Sequence, residues 1–494
     1  MTRQISRRSM LKASGAAVGA AAAGGAGAAV GAGPAAAAGT FAHPGLLHTR
    51  TDLGRMAAKV RAGAAPYTAG FARLTANRHA QSGWQARPQT VVCRGSGTPE
   101  NYSLLYNDIH AAYQNALRYH VTGESAYADT AVAVLNAWSA TLTAVDGSAD
   151  RFLAAGLYGY QFANAAELVR DHGDFELARF QEMLSRLFGA ACDDFLVRHN
   201  DAVVSNYWTN WDLASMACVL ATGVFCDDRA QVARAVDYFK HGAGLGAIRN
   251  AIPVVYGDGL GEWLEAGRDQ GHALLGVGLM GSFCEMAWNQ GIDLYGYDDN
   301  RFLKGAQYVA RWSLGGQVPF TANSRRKGAV GGWSGSETVT AAAGVDPSMT
   351  RPIWAMIANH YTRRRGLPAT YVTRIAAKAA PEGGGGDYGP NSGGYDQLGF
   401  GTLTFTRDRA STASPAAAGP AGPASQSASA SATATASASA TASASASASA
   451  SAVGKSGDLA ATGSGDVVAW TTATGITALA GGLLLLRRRA RGGR

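Results

Sequence analysis

One helical pattern after another fills the middle of this chain, and this periodicity limits what it can fold into. Between residues 104 and 123, Leu105, Ile109, Tyr113 and Leu117 recur at steps of four, and Gly123 then ends the run. Apolar residues at this spacing share one face of an α-helix, and glycine commonly follows the last turn. Similar patterns predict eight further helices, at 127–142, 157–173, 175–199, 208–228, 229–242, 272–291, 300–315 and 351–366.

Short turns with glycine or aspartate separate these helices, which predicts antiparallel helical hairpins. An all-α fold, an (α/α) toroid or barrel of such hairpins, buries this many apolar helices and leaves loops around a central cleft. No repeat of about 33 to 45 residues is present, which disfavours a solenoid. We expect a short β segment only near the C-terminal end, at 398–408. The glycine-rich stretch 381–397 predicts a loop over the surface or the cleft mouth, with Tyr388 as a candidate substrate contact.

The two ends of the chain differ in composition from the middle. Residues 1–38 predict a signal peptide, and the pair Arg7-Arg8 favours a twin-arginine signal over an ordinary secretory one. Residues 409–456 contain mainly alanine and serine, which predicts a disordered stalk. The predicted folded domain is therefore 39–408.

The last segment, 457–494, has three parts in a fixed order. LAATG at 459–463 precedes an apolar stretch at 467–486, which is long enough to span a bilayer, and a cluster of arginines follows. This order resembles a sortase-type LAxTG cell-wall sorting signal, and a simple tail anchor is the alternative. The resemblance implies an exported, wall-anchored protein whose tail is membrane-inserted before cleavage, with sortase and peptidoglycan as partners.

Charge and cysteine content exclude some function classes. The net charge is +8, but the signal peptide holds four basic residues and the part beyond Thr462 holds five, with one acid. The remainder has 34 basic and 34 acidic residues, so the alkaline composition does not indicate a nucleic-acid partner. Five cysteines allow disulfides but leave one over, and buried free thiols are an alternative. No cysteine, histidine or acidic residues occur at metal-ligand spacing, and no phosphate-binding loop is present, so we expect no metal and no cofactor.

The stretch EAGRDQGHALLG, residues 265–276, concentrates charged side chains. If it is helical, Glu265, Arg268, Asp269 and His272 lie on one face. They could form a salt-bridge ladder at the surface or a functional face, with Gln270 beside them as a further substrate contact. Glycines at 267, 271, 276 and 278 weaken an exposed helix, and they indicate close approach of another helix or a ligand.

A second cluster lies in SNYWTNWDLASM, residues 205–216. The amides of Asn206 and Asn210 can bind a carboxylate, and Tyr207, Trp208 and Trp211 offer planes that stack on sugar rings. The alternative is a helix cap followed by aromatic core residues.

A third cluster is NHYTRRRG, residues 359–366, where three arginines follow His360 and Tyr361. Arginines suit carboxylates. The alternative is a basic helix C-terminus that the helix dipole favours.

Three stretches, NYWTNWDLASMACVLATGVFCDD, the region around GRDQGH and RPIWAMIANHY, resemble the alginate lyase superfamily of polysaccharide lyases. The similarity extends over residues 40–408. It implies an (α/α) toroid and β-elimination on an acidic polysaccharide such as alginate or a glucuronan-like polymer, without a redox cofactor. By this resemblance, Asn210 or Asn206 and Arg268 hold the uronate carboxylate, and His272 neutralises it or acts as the base.

The chain departs from the pattern of these lyases in two places. Related alginate lyases have an Asn-His pair where this chain has Asn206-Tyr207. They also have a catalytic tyrosine shortly after the arginine, where this chain continues from His272 to Leu275 without one. The tyrosine then comes from elsewhere, and Asp269 orients His272 or Arg268. The candidates are Tyr207, Tyr256, Tyr295, Tyr297 and Tyr361, of which we favour Tyr207 and Tyr361.

Two other functions fit the same residues. A glycoside hydrolase on a similar toroid would use two carboxylates from Glu262, Glu265 and Asp269. A non-catalytic surface protein would bind polysaccharide through Trp208, Trp211 and the loop 381–397.

Overall fold

A computed structural model describes residues 40–96, 100–384, 386 and 395–409. Fifteen α-helices occur within these residues. They are α1 (Arg50–Arg61), α2 (Tyr67–Ala76), α3 (Tyr102–Thr122), α4 (Ser125–Thr141), α5 (Asp150–Glu167), α6 (Leu177–Met183), α7 (Ala190–Arg198), α8 (Thr209–Phe225), α9 (Arg229–His241), α10 (Ile248–Ala251), α11 (Gln270–Asn289), α12 (Tyr297–Ser313), α13 (Trp354–Asn359), α14 (Thr370–Ala379) and α15 (Gly401–Thr404).

Seven of these helices form a closed ring. Going round it, α1 contacts α3, then α5, α8, α11, α13 and α15 follow, and α15 contacts α1 again. Other helices pack on this ring as a second layer: α4 contacts α3 and α5, α9 contacts α8, α12 contacts α11, and α14 contacts α13. This arrangement is the predicted (α/α) toroid. Because an outer helix returns the chain between successive ring helices, α3, α5, α8 and α11 run in one direction and their N-termini gather at one end.

The ring helices α8 and α11 are buried on all sides, which explains their apolar composition. All 17 residues of α8 are buried, as are residues 270–287 of α11. Two glycines of α11 allow close packing, because a Cβ on Gly276 would lie 2.6 Å from the Trp263 ring and one on Gly278 would lie 2.6 Å from the Gln397 amide. The predicted close approach at these glycines is therefore confirmed, and the neighbours are protein side chains.

Several helix boundaries differ from the predictions. α3 ends as predicted at Gly123, whose φ of 79° is left-handed. The predicted helix 175–199 is α6 and α7 joined by a π-helical turn, Leu184–Gly189. Five of the described helices were not predicted, namely α1, α2, α10, α14 and α15. Of these, α1 depends on a capping box between Thr49 and Asp52 rather than on a long apolar face.

Four short strands form two separate sheets within the described residues. β1 (Val91–Arg94) pairs in parallel with β2 (Ala144–Gly147), and β3 (Asn323–Gly328) pairs antiparallel with β4 (Ser334–Val339). The predicted β segment at 398–408 is wrong. Gly399 and Phe400 have φ of 79° and 58°, and these left-handed residues turn the chain into the short helix α15.

All five cysteines are free thiols, and three of them are buried. Across the part of the chain that the structure describes, no helix is both long and apolar enough to cross a membrane. The predicted signal peptide 1–38, the stalk beyond Arg409, the sorting signal 457–494 and Tyr388 lie outside the described residues.

Candidate active site at the N-termini of α8 and α11

His272 is held by a carboxylate one turn before it. The side chain of Asp269 caps α11 by accepting a hydrogen bond from the His272 backbone N–H at 2.8 Å, and its second oxygen lies 2.7 Å from His272 Nδ1. Nδ1 therefore carries the proton and donates a hydrogen bond to Asp269. Burial alone raises the pKa of Asp269, but the hydrogen bonds from the His272 ring and backbone, with the charge of Arg268, outweigh it and lower that pKa to about 2.

Arg268 joins this pair from the other side of the imidazole. Its Nη2 lies 3.0 Å from His272 Nε2, and its Nη1 donates to Glu265 at 2.9 Å. Arginine nitrogens only donate, so Nε2 accepts and His272 is neutral in this arrangement. The side chains of Arg268 and His272 are 9% and 8% exposed, whereas that of Asp269 is 42% exposed. The site is thus nearly enclosed, with its opening on the side of Asp269.

Glu265 lies beneath the arginine and is fully buried. Thr209, the first residue of α8, donates its hydroxyl to Glu265, so this carboxylate ties the start of α8 to Arg268. Burial raises the pKa of Glu265, and the charge of Arg268 opposes that rise. Glu265 therefore acts as the counter-ion that positions Arg268.

The backbone differs from the predicted helix through residues 265–275. Residues Leu264–Gly267 form a 3₁₀ turn, Asp269 is extended with φ of −169°, and α11 begins only at Gln270. The predicted face of four side chains nevertheless exists, because the bend brings Glu265 and Arg268 onto the end of α11 rather than along its side. A Cβ on Gly267 would lie 2.4 Å from Val339, so this glycine allows β4 to pack on the turn.

Trp208 is in contact with two guanidinium groups. The Arg268 guanidinium is 5.4 Å from the centre of a Trp208 ring, and that of Arg325, from β3, is 4.1 Å away. Arg325 also pairs with Glu337 on β4 at 2.5 Å, and burial lowers the pKa of Arg325 although Glu337 opposes this. Trp208 is buried, so its indole supports the two arginines.

Two helix N-termini face this cluster, since α8 starts at Thr209 and α11 at Gln270. The unpaired N–H groups and dipoles of helix N-termini favour negative charge nearby. Together with two arginines, they make the site suited to a carboxylate and to a negative charge that develops on it. The site also offers a neutral imidazole of fixed tautomer, which can take a proton.

The two predicted asparagines occupy different places. Asn206 accepts a hydrogen bond from the Gly328 backbone at 2.8 Å and its carbonyl accepts from Arg325, so it anchors β3 beside the site. Asn210 is buried in the first turn of α8, next to Thr209. Its Oδ1 makes no hydrogen bond with a residue that the structure describes. Asn206 is engaged by β3, so Asn210 is the better candidate for a carboxylate ligand, and its Nδ2 would be the donor because Oδ1 can only accept.

Tyr207 and Trp211 belong to an aromatic core. Their rings are 4.5 Å apart and both pack on Phe195, while Asn200 donates to the Tyr207 hydroxyl at 3.0 Å. Burial raises the pKa of Tyr207. A buried hydroxyl that accepts this bond is poorly placed to reach a sugar, and the buried Trp211 ring has no open face for stacking.

His360 and Tyr361 lie far from the other candidates. His360 stacks on Tyr295 with 3.6 Å between ring centres, and the Tyr361 hydroxyl donates to the Tyr295 carbonyl. Tyr295 in turn donates to Glu285 of α11. Thirteen residues of helix separate Glu285 from His272, which is about 20 Å. The structure does not bring this pair to the site, because α13 crosses α11 beside Gly281 and the residues that follow it lie near the C-terminal end of α11.

The remaining candidates have structural partners. Gln270 exchanges two hydrogen bonds with the backbone of Asp346 and so fixes the loop above α11. Glu262 is buried and accepts from the Tyr256 hydroxyl and the Thr321 backbone. With Glu262 and Glu265 both buried in internal hydrogen bonds, the pair of carboxylates that a hydrolase needs is not exposed to a common space. Among the described residues, no group of three or more histidine, cysteine or acidic side chains could hold a metal.

The hairpin β3–β4, and with it Arg325, was not predicted from the sequence. Its strands, NSRRKG and SGSETV, are polar on both faces and lack the alternation that indicates a strand. The Gly-Gly pair at 331–332 between two six-residue segments was the one available signal.

A second patch of polar aromatic residues lies at the N-terminal half of α3. Tyr395 stacks on Tyr106 at 4.1 Å and its backbone carbonyl accepts from Gln161 of α5. Its hydroxyl accepts from Arg78 at 3.3 Å, and the ring of His110 meets it edge-on. Tyr395 has φ of 63°, an uncommon conformation for an aromatic residue. This patch lies at the same end of the ring as Arg268, on the side of α3 and α5.

A family model described as alginate lyase matches residues 64–320, which is more than half of the chain. Among solved structures, an apo form of a variant of alginate lyase A1-III is 15% identical, with a TM-score of 0.47 over 73% of this chain and 95% of that one. Alginate lyase A1-III from Sphingomonas species A1 is 13% identical, with a TM-score of 0.44 over 72% and 95%. An alginate lyase from Bacteroides ovatus is 13% identical, with a TM-score of 0.39 over 55% and 83%. No curated protein matches the sequence.

Proposed function

The chain belongs to the alginate lyase family and is a polysaccharide lyase, and we propose that it cleaves a uronic-acid-containing polysaccharide, alginate or a glucuronan-like polymer, by β-elimination. The observation that carries this proposal is the linked group Asp269, His272 and Arg268 at the N-terminus of α11. It combines a cation for a carboxylate with a neutral base, in a nearly enclosed site.

β-Elimination first requires that the negative charge of the uronate carboxylate is neutralised. The C5 proton of a uronate becomes acidic enough to remove only when its carboxylate is neutralised, because the carbanion formed delocalises onto that group. We assign this task to Arg268, helped by the N-termini of α8 and α11 and by the buried amide of Asn210. Trp208 and Glu265 hold the guanidinium from two sides, so little reorganisation is needed at the moment of reaction.

Substrate binding and base activation are coupled in this arrangement. Without substrate, Arg268 donates to His272 Nε2 and occupies its lone pair. A carboxylate that takes over this donor leaves Nε2 free to accept the C5 proton, while Asp269 stabilises the imidazolium that forms. That imidazolium is an acid, and it can protonate the leaving O4 where O4 and the C5 hydrogen lie on the same face of the sugar. The reaction is then complete without a tyrosine after Arg268.

The direct test is turnover on a panel of alginate, glucuronan and glycosaminoglycans, followed by the near-ultraviolet absorbance of unsaturated uronate ends. We expect absorbance with at least one polyuronate. Reducing ends without this absorbance would indicate hydrolysis, and binding without either product would indicate a non-catalytic protein. Both results contradict the proposal.

Two variants test the assignment of residues. His272→Gln keeps an amide that hydrogen-bonds but removes the base, so we expect kcat to fall at least 100-fold, in the range typical of a lost general base (~10²–10⁴). Arg268→Lys keeps the charge but loses the planar fork that contacts Glu265 and His272, so we expect both a higher KM and a lower kcat. The matched control is Arg198→Lys, which alters an exposed pair with Asp194 on α7 and should leave turnover unchanged.

We also propose that the enzyme acts at the cell surface. The twin-arginine pattern in residues 1–38 supports export, and LAATG at 459–463 before an apolar segment supports cleavage by sortase and attachment to peptidoglycan. Cell fractionation tests this. We expect the protein in the wall fraction, released by a muramidase, and we expect Thr462→Ala to shift it to the membrane. Recovery of wild type in the cytoplasm contradicts this proposal.

A further inference from the structure

The hairpin β3–β4 crosses the end of the ring above the candidate active site. At its base, Val339 packs on Gly267, next to Arg268. At its middle, Arg325 covers Trp208 at the start of α8. Near its tip, Ala329 forms a β-bridge with Ala202 in the turn between α7 and α8. The hairpin is therefore a fixed rim that runs outward from the site, held by backbone as well as side-chain contacts.

One face of this hairpin carries charged residues outward from the candidate active site. In a strand, alternate residues share a face, so Arg325 and Lys327 of β3 lie on the same side as their partners Glu337 and Gly335 of β4. Along this face the cation of Arg325, above the site, is followed two residues later by the cation of Lys327. Two residues of strand correspond to about 7 Å. The side chain of Arg325 is largely buried and paired with Glu337, so Lys327, which is partly exposed and lies farther out along the rim, is the cation of this face that a bound polymer can reach.

The tip adds an exposed aromatic ring to the same face. Trp333 is 69% exposed, and a Cβ on Gly335 would lie 3.0 Å from its indole, so the ring folds over Gly335 beside Lys327. A Cβ at 335 would contact the indole tightly, so the absence of a side chain lets the ring lie directly over the strand. An exposed indole next to a cation is the combination that binds a charged sugar, since the ring stacks on the sugar face and the cation pairs with the carboxylate.

We propose that Trp333 and Lys327 form an outer binding subsite for an acidic polysaccharide, several sugar units from the bond that is cleaved. This inference rests on the proposed function for the identity of the polymer. The hairpin as a whole carries three cations, Arg325, Arg326 and Lys327, against the single anion Glu337, so its charge complements a polyuronate. Trp208 and Trp211 are buried in the core, and Trp333 supplies the stacking surface that the sequence analysis assigned to them.

An outer subsite affects long substrates and leaves short ones unaffected. We expect Trp333→Ala to raise KM for polymeric alginate or glucuronan about three- to tenfold with kcat unchanged, and to leave kcat/KM for a trimer of the same polymer unchanged. Trp333→Phe should recover most of the affinity. Lys327→Gln should raise KM for the polymer and weaken its dependence on salt. The matched control is Val330→Ala, because Val330 is 68% exposed in the same turn and should not affect either substrate.

Activity of the wild-type protein on polyuronates shows whether the proposed function holds, independently of the outer subsite. If wild type is active, two results would overturn the outer subsite without affecting the proposed function. In the first, Trp333→Ala loses kcat/KM equally on trimer and polymer; in the second, it loses none on either. If wild type cleaves no polyuronate, electrophoresis through a gel that contains alginate reports binding directly. Retardation that Trp333→Ala abolishes and Val330→Ala retains then supports the subsite, and absence of retardation in wild type overturns it.

Discussion

Arg268 Nη2 lies 3.0 Å from His272 Nε2, a contact that holds only while the imidazole is neutral. Protonation at Nε2 would point two N–H donors at each other and would place two positive charges side by side. A substrate carboxylate that accepts from Nη2 would release the Nε2 lone pair for a proton. Asp269, on the other ring nitrogen, makes this tautomer the stable one.

Replacing Asp269 separates its catalytic task from its structural one. In Asp269→Asn the side-chain oxygen still caps α11, so we expect a loss of less than about 1 kcal/mol in the free energy of unfolding. The amide no longer holds the proton on Nδ1, and kcat should fall by about 100-fold or more, as when a triad carboxylate is neutralised. Steady-state kinetics and denaturant unfolding measure both effects.

The control for this variant is Asp228→Asn, which changes the capping residue of α9 away from the site. Its hydrogen bond to the Gln231 backbone resembles the cap at Asp269. We expect a similar small loss of stability and unchanged turnover. Equal losses of activity in both variants would show that Asp269 acts only through the helix.

Two glycine substitutions should have opposite effects on stability. Gly276→Ala places a methyl group 2.6 Å from the buried Trp263, and we expect it to lower the free energy of unfolding by about 1–3 kcal/mol through overpacking. Gly54→Ala, on the exposed side of α1, has no atom within 4 Å of the new Cβ and should stabilise by about 0.5–1 kcal/mol. Urea unfolding of both variants checks this. Stabilisation by both would show that α11 does not pack as closely as described.

Stability should fall in mild acid because histidines are buried uncharged. Burial and the nearby Arg364 lower the pKa of His360 to about 2. Between pH 6.5 and this value the unfolded chain binds a proton there and the folded chain does not, so the stabilisation is complete above pH 6.5 and decreases as pH falls. Between pH 7.5 and pH 5 the free energy of unfolding falls by about 2 kcal/mol for each such histidine.

His360→Phe tests that contribution, because phenylalanine keeps the stack on Tyr295 but cannot take up a proton. We expect the loss in free energy of unfolding between pH 7.5 and pH 5 to be about 2 kcal/mol smaller than in wild type. His241→Phe, at the exposed end of α9, is the comparison variant. An unchanged pH dependence in His360→Phe would mean that the imidazole is hydrated in the folded protein.

Asn206 should stabilise the hairpin β3–β4 and take no direct part in catalysis. Asn206→Ala removes the acceptor for the Gly328 backbone N–H, at a cost of about 1–3 kcal/mol where that group is left unpaired. Hydrogen exchange read by mass spectrometry should show faster exchange in β3 and β4, with little change in α11. Faster exchange across the whole ring would instead indicate a global role for Asn206.

The sequence by itself determined most of the long helices and the toroid class of the fold, although two ring helices, α1 and α15, were not predicted. Helix α3 and its end at Gly123, or the uniformly apolar α8 and α11, follow from local periodicity and from burial on all sides, which neighbouring residues in sequence already encode. The charged cluster around Arg268 and His272 could also be found, because its members lie within eight residues of one another.

Only the tertiary structure decided how that cluster is completed. The turn at Gly267 depends on Val339, more than seventy residues later, and the two guanidinium groups on Trp208 come from separate parts of the chain. His360 and Tyr361 had suitable chemistry in sequence, yet they pack on Tyr295 beside Glu285, which lies some 20 Å along α11 from His272. Packing buries the rings of Trp208 and Trp211 and leaves that of Trp333 exposed. Sequence periodicity does not specify this packing, so it could not show which tryptophan has a free ring face.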